Sequence, residues 1–323
     1  MKKYLFILIL LFFVFNIYSV CIFDIKGKGV KKITEKKYLY ILSKNNYLNV
    51  YKNEKTIFKY AGYSRTNYYI ADRYLYIWET RYNKTILKIF DIEKEFVELK
   101  EIKYDKRLEY IYKSNGKIYL FFIHGGIIES NKPLAISKSI DRISKHPFWD
   151  RNFYNVNKKL IFYFNKKFYF FENGNFIRFL EIPTNYYEIN NGYILYKNND
   201  SKIELYSILK RKKIFSADIN KKWENANVQI TENNRKINIF FVLNNEVLFV
   251  NNGNQEHKKY DSKVLFVDSD GRVITEKDEL LKTIKDKIDE ILKIVKVGNR
   301  YYLVSVNYSF FSNKYYVIQK YSL

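Results

Sequence analysis

Short hydrophobic runs alternate with polar turns along most of the chain. The clearest case is residues 152–182, where Asn-Lys-Lys, Asn-Lys-Lys and Glu-Asn-Gly-Asn separate four predicted strands. These strands are Phe153–Val156, Leu160–Phe164, Phe168–Phe171 and Phe176–Ile182. Asn and Gly tolerate the positive φ angles of tight hairpins, and Tyr, Phe and Ile favour a pleated surface. Such a sheet has two apolar faces and therefore needs neighbouring sheets to cover them.

The same pattern recurs with a period near 40 residues. The second strand of each copy starts near Tyr38, Tyr74, Ile118, Leu160, Tyr193 and Ile237, at spacings of 36, 44, 42, 33 and 44 residues. Four strands per copy at this period are typical of a β-propeller. The sequence resembles that architecture without the WD dipeptide or kelch glycine pair of the named families. We therefore expect an all-β protein, a single β-propeller of seven four-stranded blades, with six or eight blades as alternatives.

Two stretches depart from the repeat. In the third copy the fourth strand is expected at Leu134–Ile136, ahead of the irregular stretch Ser137–Arg151. Towards the C-terminus, Val264–Val267 and Arg272–Thr275 predict a hairpin. The apolar stripe of Asp278–Val295 has helical spacing and predicts one helical insertion.

The C-terminal strands form an incomplete blade. Ile294–Val297, Tyr301–Val306 and Tyr315–Tyr321 are three strands, one fewer than in the other copies. Ile22–Ile25, near the other end of the chain, is a short apolar piece without a partner. Because an unpaired strand edge invites aggregation, we predict that this N-terminal strand pairs with the C-terminal sheet and closes the propeller.

The N-terminus reads as an export signal. Lys2 and Lys3 precede an apolar run, Tyr4–Val20, that carries no charge. The lone cysteine, Cys21, follows this run, and Tyr18-Ser19-Val20-Cys21 resembles the lipobox of bacterial lipoproteins. That family normally has Gly, Ala or Ser where Val20 stands. The resemblance implies lipidation of Cys21; ordinary signal cleavage and a retained N-terminal anchor are the alternatives.

These readings define the expected domains and location. Residues 1–21 are a signal peptide, lipoprotein leader or anchor, and residues 22–323 are the propeller domain. Two β-domains divided near Ser137–Arg151 are the alternative. We expect an exported protein in the periplasm or at the cell surface, membrane-anchored rather than freely secreted.

The chain is strongly basic, with 57 Lys and Arg against 34 Asp and Glu. Removing Lys2 and Lys3 with the leader lowers the net charge from +23 to +21. Export argues against nucleic acid as the partner, and abundant Lys, Asn, Ile, Tyr and Phe are what an AT-rich genome produces. Attraction to an anionic lipid or glycan surface is the functional alternative. A single cysteine forms no disulfide within the chain, so a hydrophobic core has to stabilise it.

Residues able to carry catalysis are few. The histidines, His124, His146 and His257, lack metal-ligand spacing, and the sequence contains no nucleophile elbow or phosphate-binding glycine loop. Asp268-Ser269-Asp270-Gly271 begins like a calcium loop, but Lys277 stands where a bidentate Glu is required. Carboxylates that could serve glycoside hydrolysis are Asp91, Asp141, Asp150, Glu188 and Glu224. We expect no metal, no cofactor and a non-enzymatic protein.

The candidate binding residues are aromatic and basic. Trp149 and Trp223 lie in connections between blades, where a glycan or peptide could stack on them, although packing beneath a loop is the alternative. Lys210, Arg211, Lys212 and Lys213 form the densest basic cluster, which serves either an anionic partner or the protection of a sheet edge.

Together these features favour an exported scaffold that binds an envelope protein or an extended peptide. In architecture alone the sequence resembles the propeller lipoproteins that help to assemble outer-membrane proteins. A glycan-binding or glycan-cleaving propeller, and a secreted protein of unknown function, are the alternatives.

Overall fold

The structure is a computed structural model of the chain. It describes residues 21–25, 30–53, 55–156, 159–190, 192–200, 202–233, 236–251, 254–267, 272–277, 290–297, 300–307 and 314–321. These residues form β-strands, turns and four short 3₁₀ turns, and no α-helix occurs among them. No helix in this part of the chain is long and apolar enough to cross a membrane.

The strands are short and follow one another closely. In the first half they are β1 Cys21–Ile25, β2 Val30–Glu35, β3 Leu39–Ser43, β4 Tyr47–Lys52, β5 Lys55–Ala61, β6 Arg65–Ala71, β7 Tyr74–Arg81, β8 Lys84–Asp91, β9 Val97–Tyr104, β10 Leu108–Ser114, β11 Lys117–Phe122, β12 Gly126–Ser130, β13 Arg142–Ile143, β14 Phe153–Val156, β15 Lys159–Phe164 and β16 Lys167–Glu172. In the second half they are β17 Asn175–Glu181, β18 Tyr187–Asn190, β19 Tyr193–Lys197, β20 Lys202–Ser207, β21 Lys212–Asp218, β22 Asn227–Asn233, β23 Lys236–Leu243, β24 Glu246–Asn251, β25 Asn254–Lys259, β26 Val264–Val267, β27 Val273–Thr275, β28 Glu290–Val297, β29 Arg300–Asn307 and β30 Lys314–Tyr321.

Among the described residues the strands assemble into seven four-stranded sheets and one two-stranded sheet. Six sheets each use four consecutive strands in chain order, from β2–β5 to β22–β25, and β26–β27 is the separate hairpin. The seventh sheet has the order β1-β30-β29-β28. The N-terminal strand therefore completes the C-terminal sheet, as predicted, with Cys21 opposite Gln319 and Ile25 opposite Tyr315.

Turn residues and alternating burial explain the sheets. Between β15 and β16, Asn165 and Lys166 have φ of 48° and 61°, the left-handed conformation that a two-residue hairpin needs. The middle strands are buried on both faces. Leu160 packs in one hydrophobic cluster with strands of the preceding sheet, whereas Ile161 packs in another with strands of the following sheet. Consecutive sheets in this part of the chain thus lie face to face.

Backbone contacts divide the chain into two compact units. One contains the described residues of Met1–Arg81, Phe90–Leu99 and Lys277–Leu323, and the other those of Tyr82–Ile89 and Lys100–Glu276. In the first unit a core built around Tyr40, Leu75 and Phe90 joins the sheets β2–β5 and β6–β9. In the second unit similar clusters join each sheet to the next, as far as the hairpin β26–β27. Neither unit begins or ends within Ser137–Arg151.

The prediction of a helix over Asp278–Val295 is wrong for its C-terminal part. Residues 290–297 form β28, paired with β29, and residues 278–289 lie outside the described residues. Branched residues such as Ile291, Ile294 and Val295 favour a strand. A register shift between Ile291 and Lys293 interrupts the strict alternation of the strand, which explains why its apolar spacing imitates a helix.

The fourth strand of the third sheet is also displaced from its expected place. Pro133–Ala135 form a 3₁₀ turn, so Leu134–Ile136 is not the strand, and β13 follows later at Arg142–Ile143. Pro133 has no N–H to give to a ladder, which disfavours a strand there. The predicted C-terminal hairpin is confirmed as β26–β27, which forms a separate two-stranded sheet.

Candidate functional site

The two candidate tryptophans belong to different clusters. Trp149 is partly exposed and stacks on Phe164, with ring centroids 6.1 Å apart. Trp223 lies in the 3₁₀ turn Lys221–Asn225 and is only 5% exposed, because it packs in the core between the fifth and sixth sheets. A ligand could therefore reach Trp149 more readily than the ring of Trp223.

The carboxylates near Trp149 have structural partners. Glu109 is 1% exposed, accepts a hydrogen bond from the Asp150 amide at 2.9 Å and forms an ion pair with Arg107. Asp141 accepts a hydrogen bond from the Glu129 amide at 2.6 Å. These bonds hold the connection before the fourth sheet.

The predicted basic cluster is half paired within the protein. Arg211, at the β20–β21 turn, binds Glu172 at 3.0 Å and covers the ring of Phe170. Lys213 binds the buried Glu204 at 3.0 Å. Lys210 and Lys212 are exposed, and neither has an ion pair among the described residues. Arg211 thus ties the fifth sheet to the fourth, Lys213 pairs within the fifth sheet, and the other two cations lie at the surface.

Glu204 illustrates how the paired half of the cluster works. Burial raises the pKa of the Glu204 carboxyl, but hydrogen bonds from Tyr196, Lys213 and Asn198 outweigh it, so the net shift is downward. The Tyr196 hydroxyl donates at 2.7 Å and the Asn198 amide at 3.0 Å. The carboxylate is therefore held ionised inside the fifth sheet.

The histidines have different surroundings. His124 lies in a 3₁₀ turn with φ of 64°. His146 contacts the aromatic ring of Tyr169, and burial, aided by Lys145 and Lys167, lowers the pKa of its imidazole. Among the described residues no group of three or more His, Cys, Asp or Glu side chains is placed to hold a metal. The calcium-like stretch Asp268–Gly271 lies outside the described residues.

His257 joins Trp223 in a polar cluster on the sixth sheet. Its Nε2 lies 2.8 Å from Oε2 of Glu246, and its ring meets Trp223 edge to face at 5.5 Å. Lys222 forms an ion pair with the same oxygen of Glu246. The hydrogen bond from Lys222, helped by that from His257, lowers the pKa of the Glu246 carboxyl. Glu246 thereby anchors β24 and β25 to the preceding 3₁₀ turn.

Strand β25 forms an exposed edge of this sheet. All six of its residues, Asn254–Lys259, are exposed. The Tyr260 amide donates to the Asn245 carbonyl at 2.8 Å, and hydrogen-bonded pairs alternate along an antiparallel ladder. The backbone N–H and C=O groups of Gln255, His257 and Lys259 consequently point away from β24. No other strand in the described part of the chain pairs with β25.

This edge differs from the last strands of three other sheets. Register shifts interrupt the pairing of β5, β17 and β21 with their neighbours, and such bulges blunt an edge. β25 instead pairs with β24 through six consecutive residue pairs without a shift. A straight edge of this kind is the geometry that accepts another strand.

The edge of β6 offers a second contrast, because lysines in β2 and directly after it cover this edge. The ammonium groups of Lys31, Lys32 and Lys36 donate to the carbonyls of Thr66, Tyr68 and Ile70, at 2.7, 2.9 and 2.8 Å. These are alternate residues of β6, so one row of its carbonyl groups is occupied from within the chain. These three lysines thus protect the edge of β6.

A pocket of ≈ 230 Å³ lies beside β25. It opens between the sixth sheet and the hairpin β26–β27, where a hairpin of two strands faces a sheet of four. Phe240 and Phe249 stack at 5.2 Å in its wall, and Glu256 pairs with Lys258 at 2.8 Å. Its lining residues are Asn238, Phe240, Val247, Phe249, Glu256, Lys258, Tyr260 and Val273.

Sequence reasoning did not find this site. Phe240 and Phe249 follow the same pattern as core residues of the other sheets. The one available signal was the hairpin Val264–Val267 and Arg272–Thr275, which is too short to cover a four-stranded neighbour.

Comparison with known proteins identifies the fold. No protein-family model matches the sequence, and no curated protein matches it. Among solved structures, BamB from Moraxella catarrhalis is 9% identical, with a TM-score of 0.50 over 93% of this chain and 100% of that one. The dihydro-haem d1 dehydrogenase NirN in complex with DHE is 13% identical, with a TM-score of 0.51 over 91% of this chain and 67% of that one. Both are β-propellers, and with its seven four-stranded antiparallel sheets this chain has the fold of a seven-bladed β-propeller.

Proposed function

We propose that this protein is an exported, non-enzymatic scaffold that binds an extended segment of another envelope protein as an additional strand on β25. The observation that carries the proposal is the straight, exposed edge Asn254–Lys259, to which no second strand is paired in the described chain. Strand addition at an exposed edge is an established mode of peptide recognition, in which main-chain hydrogen bonds supply affinity.

The available hydrogen bonds set the strength of this interaction. Gln255, His257 and Lys259 each present one N–H and one C=O outward, and each backbone bond contributes roughly 0.5–1.5 kcal/mol net. Ordering the incoming segment costs about 1–2 kcal/mol per residue. The backbone bonds alone therefore come close to balancing the ordering cost, and a side-chain contact has to provide the rest of the affinity.

A pair of substitutions at His257 tests the backbone contact. His257→Ala removes the imidazole and keeps the outward N–H, whereas His257→Pro removes both. Proline is tolerated at a sheet edge where its missing N–H faces away from the ladder. Random peptides displayed on phage are selected against the full chain and then measured against both variants. We expect selected peptides to bind His257→Pro at least about 10-fold more weakly than His257→Ala, a loss of about 1.4 kcal/mol.

Amide hydrogen exchange provides a second measurement that does not depend on the variants. A bound strand should slow exchange at Gln255, His257 and Lys259 and leave the already bonded amides of Glu256 and Lys258 unchanged. Equal binding by the two variants, together with unchanged exchange along β25, would overturn the proposal.

Export and anchoring rest on the leader. The apolar run Tyr4–Val20 and the lipobox-like Tyr18–Cys21 support export with lipid attachment at Cys21. In the structure β1 begins at Cys21 itself, so a lipid on this residue would join directly to the seventh sheet. Palmitate labelling that is lost in Cys21→Ser, with processing blocked by globomycin, is the expected result. An unlabelled, processed and soluble product would refute lipidation and favour plain secretion.

A further inference from the structure

We infer that the pocket beside β25 binds one large aromatic side chain of the segment that pairs with this strand. The inference rests on the proposed strand addition and specifies which segments the edge accepts. It follows from three observations: the chemistry of the pocket walls, the size of the pocket, and its position relative to the edge.

The walls suit an apolar group. Phe240 and Phe249 stack on one another, and Val247 and Val273 complete the apolar surface. Phe240 and Val247 are buried, whereas Phe249 and Val273 are half-buried, so part of this surface faces the opening. An incoming ring can meet Phe249 edge to face or offset, the arrangements that aromatic pairs prefer. The charged groups at the rim, Glu256 and Lys258, neutralise one another through their ion pair.

The size of the pocket favours a side chain over a free ligand. Pockets for small molecules and cofactors commonly have volumes of roughly 300–1,000 Å³. This pocket, at ≈ 230 Å³, is smaller than that range. A single ring carried on a peptide needs less room, and the pairing of its backbone with β25 fixes its position.

The distance between the edge of β25 and the pocket determines how long the side chain of the added strand must be. Residues directly opposite one another in a ladder project from the same face. The residue of the added strand opposite Glu256 therefore projects on the pocket side. Phe249 is the partner of Glu256 within the sheet, so it lies two strand spacings, roughly 9–10 Å, from the added backbone. Only a long side chain crosses the stem of Glu256 and reaches the ring of Phe249.

The specificity is tested with two synthetic probes. One is a fluorescein-labelled peptide of alternating threonine and serine with a single central phenylalanine; the other has alanine in place of the phenylalanine. Burying the ring should make the phenylalanine peptide bind at least about 10-fold more tightly. Val273→Trp places a large ring in the pocket. We expect this variant to bind the phenylalanine peptide no more than about 2-fold more tightly than the alanine peptide, whereas the wild type should show a difference of about 10-fold, or 1.4 kcal/mol.

A matched substitution and a second variant complete the experiment. Ile177→Trp places the same large ring on an exposed position of β17, away from the pocket, and should keep the full preference. Phe249→Leu retains an apolar wall without the ring and should weaken the preference for phenylalanine even if Val273→Trp does not fold.

The outcomes separate this inference from the proposed function. If both peptides bind equally well and both lose binding to His257→Pro, strand addition stands and the aromatic pocket is overturned. A preference that persists unchanged in Val273→Trp and Phe249→Leu overturns the pocket as well. If neither peptide protects the amides of β25 from exchange, the strand addition itself fails.

Discussion

Replacing Phe148 with alanine tests how the irregular connection before the fourth sheet is held. Phe148 is fully buried, and its ring lies 5.3 Å from that of Phe121, 5.6 Å from Phe153, 5.5 Å from Phe162 and 5.4 Å from Phe176. Phe121 belongs to the third sheet and the other three to the fourth. The side chain thus fills the space between two sheets. Truncating a buried phenylalanine typically costs 3–5 kcal/mol, so we expect about 4 kcal/mol here.

Urea denaturation followed by tryptophan fluorescence and far-UV circular dichroism measures this loss. With a urea m-value of roughly 3 kcal/mol/M, the midpoint should fall by about 1–1.5 M. Ile143→Ala, in the same connection but 75% exposed, is the control and should change stability by no more than about 0.5 kcal/mol. Equal shifts in the two variants would refute the reasoning.

Two further predictions concern a glycine and a buried carboxylate. Gly125 has φ of +83°, and an added Cβ would lie 2.5 Å from the Ser144 carbonyl oxygen, whereas Gly116 has φ of +77° with nothing within 4 Å. Gly125→Ala should therefore lower the thermal midpoint clearly more than Gly116→Ala. The control variant Gly116→Ala introduces only the backbone strain of a positive φ, about 1–2 kcal/mol. Equal changes in thermal midpoint would contradict the clash at Gly125. The lowered pKa of Glu204 means that its ionised form stabilises the fold above its ordinary pKa of 4.5, and this contribution is lost as the pH falls towards the folded-state value. Between about pH 7 and about pH 3 the wild type should lose more stability than Glu204→Gln, and parallel losses in thermal melts would count against this pairing.

The parts of the fold that depend on local pattern were predictable from the sequence. Phe153–Val156 forms the strand expected of it, because its alternation and the Asn-Lys-Lys turn that follows are local signals. The pairing of β1 with β30 was also predictable, since the C-terminal sheet lacked one strand and Ile22–Ile25 lacked a partner. Such counting works because every sheet in the repeat needs the same number of strands.

The remaining features depend on contacts between distant residues. Trp223 and His257 are 34 positions apart in the sequence, and only the packing of a 3₁₀ turn against β25 brings their rings together. The first part of β28 was read as the end of a helix, although Ile294–Val297 was correctly predicted as strand, because the register shift disturbs the alternation on which strand prediction relies. The pocket and the exposed edge were missed for a related reason. Neither can be recognised from the sequence of one strand, because both depend on which surfaces the neighbouring elements leave uncovered.

The candidate site can be understood as an interruption of the repeat. In a propeller each sheet covers the face of the next. The sixth sheet is followed by β26–β27, a hairpin of two short strands that packs on Phe240, Val242 and Val247. The part of the face of the sixth sheet near Phe249 and β25 lines the pocket. A straight edge and an apolar pocket therefore occur at the same place, and an extended peptide with an aromatic anchor requires both.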